Sequence, residues 1–328
     1  MHSPVSTTGL KARYRPLAQD FILAFLSLVF AVCSFAFPRT GWPDSSGFPR
    51  GDLMGLAFLG TAALSLLAPF VGEEAPAILR FLRTFYPQAL MPLFFQESIL
   101  LSVETFRGRT FDAQIAAIDQ AIFGYQPARW FHHALDSFPA INELMFASYF
   151  LYYIIFSVTP WLIYFSGREE DSRRVMFVLS AMMALIFIWY LFFRVEGPKY
   201  WFEDLRRKAY GEFQGGFFVH FFQGVFRSTP LYGAAFPSTH VAFTLLMLIS
   251  AARLDRRLLW AYVPGLTLVG CATVYLYAHY FTDVLGGLAV TALLEPLLWR
   301  AYPRMRDALE RRASGRRGPE SRGPERPA

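Results

Sequence analysis

Long apolar segments recur along the chain from residue 17 to residue 301, and shorter polar stretches separate them. A helix of about 20 apolar residues, rising about 1.5 Å per residue, crosses the hydrocarbon core of a bilayer. The segments are continuously apolar rather than alternating, which favours helices over the strands of a membrane barrel. The pattern predicts an all-α, polytopic transmembrane bundle of eight helices, near residues 17–37, 52–71, 86–104, 143–165, 174–194, 236–253, 258–277 and 281–301.

The third of these segments is the most polar. It contains Pro87, Pro92, Gln96, Glu97 and Glu104. We therefore expect it to be shielded by other parts of the protein or to lie shallow in the membrane, because acids in contact with lipid are costly.

Composition supports a membrane protein. Of the 328 residues, 54% are hydrophobic and only 17% are charged, which is too apolar for an ordinary soluble domain. The formal net charge of +6 lies mostly in loops and in the C-terminal tail, so it concerns membrane topology and no nucleic-acid partner is expected. The first apolar run is long and no small-residue cleavage site follows it, so we interpret it as an uncleaved helix rather than a signal peptide.

The positions of Lys and Arg predict the orientation. Short cytoplasmic loops are rich in these residues. They cluster near residues 11–15, 80–83, 168–174, 253–257 and 304–326. Eight crossings place all of these clusters on one face, so both termini are expected in the cytoplasm. A bacterial inner membrane with a periplasmic site fits this topology and is our preference, and a eukaryotic endomembrane with a lumenal site fits it equally.

Two long loops fall on the opposite, outer face. In the loop at about 105–142, apolar residues at helical spacing predict a short amphipathic helix on the outer surface, with Asp112 and Asp119 elsewhere on the turn. Those apolar residues are Phe111, Ile115, Ile118 and Ile122. A second short helix is predicted near 130–138. The loop at about 195–235 has many aromatic residues and a basic cluster, 206–208, which is either a solvated face near anionic lipid or a contact for a charged headgroup.

The most informative polar residues flank the sixth, seventh and eighth segments. The sixth begins with Phe-Pro-Ser-Thr-His at 236–240, and the eighth begins within His-Tyr-Phe-Thr-Asp at 279–283. The predicted topology brings His240, His279 and Asp283 to the outer face, together with residues 194–199 at the end of the fifth helix. Ionisable groups at such positions are expensive and usually functional.

These residue types suit phosphoryl transfer. On a helix, His279 and Asp283 would share a face, so the carboxylate could orient the imidazole and leave its other nitrogen basic. Ser238 is a suitable N-cap, and the helix start that it begins is a natural phosphate cradle. His240 is placed to protonate a leaving oxygen. The predicted phosphate-binding residues are Lys199, Ser238, Thr239 and Arg194.

Two other interpretations remain open at this stage. Two histidines and a carboxylate are also a possible metal-ligand set, which sensitivity to a chelator would reveal. A transporter could use the same groups as a proton relay, although relay groups would be spread through the depth of the membrane instead of clustering at one face. The chain has no internal repeat that supports a transporter built from inverted halves.

The motifs at 236–240 and 279–287 resemble the second and third signature motifs of the type 2 phosphatidic acid phosphatase superfamily. The resemblance implies that His279 is the nucleophile, that Asp283 orients it and that His240 protonates the leaving group. It implies a phosphohistidine mechanism, and no cofactor or metal is expected. It also implies a six-helix catalytic core at 85–303, preceded by two extra helices in 1–84 and followed by a basic tail at 304–328 that we expect to be disordered.

The sequence departs from the superfamily pattern at the phosphate-binding cation. The classical third motif has Ser-Arg where this chain has Ala272 and Thr273, and the classical first motif is absent. The Gly-Pro-Lys at 197–199 and the segment at 119–127 instead resemble the inositol phosphorylceramide synthase-like branch. This resemblance makes Lys199 the first choice for the missing cation, before Arg194 and the basic cluster.

The expected activity is that of a lipid phosphatase or phosphotransferase. Its substrate would be a lipid phosphate or a phospholipid, and a transferase would also take a ceramide- or diacylglycerol-like acceptor. Whether water or a hydroxyl acceptor receives the phosphoryl group depends on the exclusion of water, which the sequence leaves open.

Overall fold

The computed structural model describes residues 16–37, 51–72, 74–106, 108–209, 211, 213–228 and 233–314. Within these ranges the secondary structure consists of 13 α-helices and two short 3₁₀ turns, without a strand, so the predicted all-α class is confirmed. The helices are α1 (Ala18–Ala36), α2 (Gly51–Leu67), α3 (Ala77–Phe106), α4 (Asp112–Phe123), α5 (Pro127–Leu135), α6 (Pro139–Phe165), α7 (Glu169–Tyr190), α8 (Pro198–Trp201), α9 (Glu203–Ala209), α10 (Phe217–Ser228), α11 (Thr239–Leu254), α12 (Leu259–Tyr275) and α13 (Phe281–Ser314).

The predicted polytopic bundle is also confirmed. In the described part of the chain, seven helices are long and apolar enough to cross a membrane: α1, α2, α3, α6, α7, α12 and α13, where α2 and α12 include their adjoining 3₁₀ turns. The remaining predicted crossing corresponds to α11, which is apolar but only 16 residues long. All eight predicted segments therefore contain a helix.

α3 and α13 extend furthest beyond their predicted bounds. α3 is continuous for 30 residues although it includes Pro87 and Pro92, because membrane helices tolerate proline where neighbouring groups satisfy the freed backbone. α13 continues to Ser314, so the prediction that the whole of 304–328 is disordered is wrong for 304–314. Arg306 lies 3.7 Å from Glu310 one turn later, a pairing that supports a helix. The rest of the predicted tail, 315–328, lies outside the described residues.

The chain divides into two compact units, and the catalytic core at 85–303 stays a prediction. The first comprises Met1–Leu90, Met176–Ala181 and Leu297–Ala328. Within it α1 packs against α2, with the rings of Phe30 and Phe58 5.4 Å apart. The buried carboxylate of Asp20 accepts a hydrogen bond of 2.9 Å from the Tyr86 hydroxyl of α3 and lies 3.8 Å from Arg83. Polar contacts thus fasten α1 to the first half of α3.

The second unit, Met91–Val175 with Met182–Pro296, contains every predicted site residue. Its centre is formed by α6, α11 and α12, which pack against one another. α13 lies directly against α11, since a Cβ atom at Gly287 would come within 2.6 Å of the Ser238 carbonyl oxygen. Thr291 donates a hydrogen bond of 3.0 Å to the carbonyl of Ala242. The two helices that carry the candidate catalytic residues are therefore held in close register.

An ion pair joins the end of α11 to the middle of α13. Arg253, whose side chain is 33% exposed, pairs with the carboxylate of Glu295, whose side chain is 3% exposed. The charge of Glu295 is therefore buried and depends on its cationic partner.

We expect Glu295→Gln to lower the free energy of unfolding by about 1.5–3 kcal/mol, the range for a hydrogen bond to a charged group. The measurement is the thermal unfolding midpoint of the detergent-solubilised protein. Glu310→Gln is the control, because Glu310 is 70% exposed. Equal midpoints for the two variants would contradict the role given to this pair.

Candidate active site

The candidate site lies where α11 and α13 begin. The N-cap predicted at Ser238 is present, because its hydroxyl accepts from the backbone N–H of Val241 at 3.4 Å. The backbone N–H of Ser238 donates to the carbonyl of Asp283 at 3.0 Å. A cap and a cross-link between the two helix starts therefore come from the same residue.

His279 lies in the turn between α12 and α13, not on a helix, so the predicted sharing of a helix face is wrong. The turn forms because the backbone N–H groups of Ala278 and His279 both donate to the carbonyl of Thr273 at 3.0 Å. The Asp283 carboxylate in the first turn of α13 accepts from the backbone N–H of Tyr280 at 2.9 Å. His279 and Asp283 meet through this turn, with Nδ1 and Oδ2 3.3 Å apart.

The contacts of His279 define its tautomer. Its Nδ1 lies 2.9 Å from the carbonyl oxygen of Ala235 and 3.3 Å from Asp283 Oδ2. A carbonyl oxygen only accepts hydrogen bonds, so Nδ1 carries the proton and donates. In the neutral ring, Nε2 then has a free lone pair, which is the form that a nucleophile requires. Two acceptors, and not the carboxylate alone, orient this ring.

The lone pair of His279 faces the other histidine. His279 Nε2 lies 3.3 Å from His240 Nδ1, a hydrogen-bond distance at which His240 is the donor. The half-buried His240 ring is held between Tyr149 and Tyr152, whose ring centroids lie 4.6 and 4.5 Å from its own. The buried Nε2 of His240 has no hydrogen-bond partner among the described residues.

A cavity of about 200 Å³ opens beside this pair. Both histidines and Lys199 line it, together with Glu196 and the rings of Tyr149, Tyr153 and Phe226. A mixed lining of one cation, two imidazoles and aromatic faces suits a phosphate attached to an apolar group.

Lys199 is the predicted cation that reaches the cavity. Its backbone N–H donates to the Tyr277 carbonyl at 2.9 Å, which ties α8 to the His279 turn. Its ammonium lies 3.8 Å from the ring centroid of Phe226, a cation–π contact. Burial lowers the pKa of Lys199 from 10.5 to about 7. A phosphate beside it would restore the charge, because an opposite charge favours the protonated form.

Three other predicted phosphate-binding residues serve different contacts. The cavity lining does not include Ser238, Thr239 or Arg194. Ser238 caps α11, and Thr239, the first residue of that helix, is 3% exposed. Arg194 pairs with Glu196 at 2.6 Å, which supplies a counter-charge to an acid in the cavity wall. Burial nevertheless raises the pKa of Glu196, and Arg194 opposes this shift.

The backbone that connects α7 to Lys199 packs closely against a neighbouring turn, and this packing requires a glycine at position 197. Its φ of +95° is a conformation that side chains rarely adopt, and a Cβ there would lie 2.5 Å from the Ala278 carbonyl oxygen. Gly197 therefore allows the backbone that leads to Lys199 to approach the turn that carries His279.

Two carboxylates of the outer loop are buried, and the sequence patterns assigned them no role in the site. Asp112 and Asp119 are 0% and 1% exposed, whereas Ile118 and Ile122 of the same helix are 44% and 53% exposed. The short helix predicted in this loop is present as α4. Asp112, Ile115 and Asp119 are spaced three and four residues apart, so they share one face of α4, and that face is buried. This spacing is the feature of the sequence that could have predicted the burial of the two carboxylates.

The arrangement does not bring the three polar groups to one point, as a metal site requires. Asp283 faces Nδ1 of His279, while His240 faces Nε2 on the other side of the ring. Within the described ranges, no group of three or more His, Cys, Asp or Glu residues is placed to hold a metal ion. The three groups instead form a row, in which the His279 ring lies between the Asp283 carboxylate and the His240 ring.

An apolar groove of about 370 Å³ lies near the same helix starts. It runs between α4, α5, α12 and α13, and its lining includes Phe123, Trp130, Phe131, Leu266, Gly270 and Leu288. Val241 and Phe281, the residues next to His240 and two positions after His279, also contribute to its wall.

Comparison with known proteins identifies the family. No curated protein and no solved structure matches the chain. The family model described as the PAP2 superfamily matches residues 113–296, from α4 into α13. This segment contains Lys199, both histidines and Asp283, and it is more than half of the 328 residues. The chain therefore belongs to the PAP2 superfamily.

Proposed function

We propose that this protein cleaves or transfers a phosphate or phospho-headgroup on a lipid, through a phosphohistidine formed on His279. PAP2 superfamily members are generally phosphatases or phosphotransferases that act on lipid-like substrates. The observation that carries the proposal is the orientation of His279, whose Nδ1 donates to Ala235 and Asp283 and whose Nε2 faces His240.

The first half-reaction breaks the bond between phosphorus and the leaving oxygen. His279 Nε2 attacks phosphorus and forms a P–N bond as the P–O bond breaks, while His240, which enters the step as the imidazolium, gives its Nδ1 proton to the leaving oxygen and becomes neutral. The ring of His279 becomes positively charged, and the Asp283 carboxylate stabilises that charge. Protonated Lys199 stabilises the charge on the phosphoryl oxygens.

The second half-reaction restores the enzyme. Water or a hydroxyl acceptor gives its proton to His240 and attacks phosphorus, and the P–N bond breaks. The products are then inorganic phosphate or a new phospho-ester, and both histidines return to their first protonation state.

Substrate binding requires the two histidines to separate. Their nitrogens are 3.3 Å apart. A reacting phosphorus needs about 3–3.5 Å from the nucleophile, and the leaving oxygen needs a further hydrogen bond of about 2.6–3.2 Å to the acid. The entering phosphoryl group therefore replaces the His–His hydrogen bond with one contact to each ring.

A transferase is the second candidate function, of the inositol phosphorylceramide synthase-like kind. Two segments that resemble that branch lie at the candidate site. In the first, Gly197 packs closely against Ala278 and Lys199 lines the cavity. In the second, Asp119 accepts a hydrogen bond from the backbone N–H of Thr282 at the start of α13. The acceptor would be a ceramide- or diacylglycerol-like hydroxyl. We place the reaction on the outer, periplasmic face of a bacterial inner membrane, with both termini cytoplasmic.

Turnover of a lipid panel tests the function. Purified protein is incubated with radiolabelled lipid phosphates and phospholipids, with and without ceramide or diacylglycerol. Free phosphate identifies a hydrolase, and a new phospholipid identifies a transferase. Flux of substrate across liposomes without phosphoryl transfer would instead support a transporter.

His279→Ala should abolish turnover without changing expression or folding, because it removes the nucleophile. His240→Ala should lower kcat by roughly 10²–10⁴-fold, the usual contribution of a general acid. The matched control is His220→Ala, since His220 is exposed on α10. An active His279→Ala protein would refute the phosphohistidine mechanism.

Lys199 should confer a pH dependence on anion binding near neutrality. Its pKa of about 7 means that the cation is lost as the pH rises. Inhibition by sulfate, whose charge is constant in this range, should therefore weaken from pH 6 to pH 8 in the wild type. Lys199→Arg should flatten this part of the profile, because arginine keeps its charge. An identical profile in both proteins would exclude Lys199 as the anion-binding cation.

We also propose that the apolar groove holds a hydrocarbon chain of the lipid. A Cβ at Gly270 would lie 3.8 Å from Val284, an ordinary contact, so a side chain fits there and fills the groove. Gly270→Leu should lower kcat/KM for a long-chain substrate by roughly tenfold or more and spare a short-chain analogue. Val263→Leu, at an exposed position on the same helix, is the control. Equal losses on both substrates would contradict this assignment.

A further inference from the structure

The short outer helix α4 contacts both halves of the candidate site through two buried carboxylates. Asp112 and Asp119 are seven residues apart, which places them on one face and about 10 Å apart along the helix. Their side chains are 0% and 1% exposed. Both carboxylates accept hydrogen bonds from backbone N–H groups and hydroxyls of segments that are distant in the sequence.

Asp119 caps the helix that begins beside the nucleophile. Its Oδ2 accepts from the backbone N–H of Phe281 at 2.9 Å, and its Oδ1 accepts from the backbone N–H of Thr282 at 2.8 Å. The Thr282 hydroxyl also donates to Oδ1 at 2.6 Å. A negative charge at the first N–H groups of a helix is stabilised by the helix dipole. Asp119 therefore fixes where α13 begins, one residue after Tyr280.

Asp112 holds the backbone that leads to the cation. Its Oδ2 accepts from the N–H of Glu196 and its Oδ1 from the N–H of Gly197, both at 2.9 Å. The same Oδ1 accepts from the Tyr280 hydroxyl at 3.0 Å. Asp112 thus joins the approach to Lys199 with the turn that carries His279.

Neither carboxylate lines the catalytic cavity, so neither is placed to touch the substrate. Resting on the proposed function, we infer that Asp112 and Asp119 are positioning residues, and that α4 sets the separation between the phosphate cation and the nucleophile. Asp119 positions His279 and Asp283 through the start of α13. Asp112 positions Lys199 through residues 196 and 197.

The two carboxylates therefore have different kinetic consequences. A displaced nucleophile affects the chemical step, and a misplacement of about 1 Å costs on the order of 10²-fold in rate. A displaced cation weakens anion binding. A purely structural role would instead reduce the amount of folded protein and leave the kinetics of the folded fraction unchanged.

The variants Asp119→Asn and Asp112→Asn test this inference. Each is nearly isosteric but turns an amide N–H₂ towards N–H or O–H donors. The control is Asp204→Asn, because Asp204 is a partly exposed carboxylate on α9 paired with Arg129. Kinetic constants are expressed per folded molecule, measured by monodisperse elution and the thermal unfolding midpoint.

We expect Asp119→Asn to lower kcat about 10- to 100-fold with little change in KM. We expect Asp112→Asn to raise KM, and the sulfate concentration for half-inhibition, by about tenfold, with a smaller effect on kcat. Thr282→Val, which removes one of the three donors to Asp119, should change kcat in the same direction as Asp119→Asn and by less. Kinetic constants of both variants equal to those of Asp204→Asn would overturn the inference.

A second measurement does not depend on turnover. Diethyl pyrocarbonate modifies the free nitrogen of His279, and mass spectrometry of the peptide reports the extent. Sulfate bound at Lys199 should protect His279, and Asp112→Asn should raise the protecting concentration by about tenfold over the wild type and Asp204→Asn. If the wild type turned over no lipid phosphate, the proposed function would fail. The sulfate concentration that protects His279 would still support or refute the positioning role of Asp112.

Discussion

The site depends on one hydrogen bond, from Nδ1 of His279 to the carbonyl oxygen of Ala235. A carbonyl cannot donate, so this contact decides which nitrogen of the ring carries the proton. Asp283 reinforces the choice and adds a charge that can stabilise the imidazolium. Ala235 lies just before α11, and its own N–H donates to Val195 at 2.9 Å. The tautomer of His279 is therefore coupled to the segments that carry His240 and Lys199.

Polar contacts within an otherwise apolar bundle hold α11 and α13 in place. The two helices are joined near the site by Ser238 and Asp283, further along by Thr291, and at the end of α11 by Arg253 and Glu295. In a bilayer, apolar packing alone gives little preference for one register, because lipid tails are as apolar as the side chains they replace. Hydrogen bonds at three depths specify the register that brings His240 to His279.

The sequence predicted the helices and the principal polar pair because both produce local signals. Apolar runs mark the crossings, and two histidines at the ends of such runs are conspicuous. The contacts of Asp112 and Asp119 had no comparable signal, since their partners are backbone N–H groups 84 to 163 residues away. The turn at His279 was missed for a similar reason: it is set by the carbonyl of Thr273, a group that every residue possesses.

Thr273 stands where the classical third motif has an arginine, and its side chain is buried here. Lys199, from another segment, lines the cavity beside the two histidines. Lys199 differs from arginine in that its charge is conditional. Burial lowers the pKa of Lys199 to about 7, so this side chain loses its charge far more readily than an arginine would. Because a neighbouring anion favours the protonated amine, we expect an anion that enters this cavity to be accompanied by the uptake of a proton from solvent at Lys199.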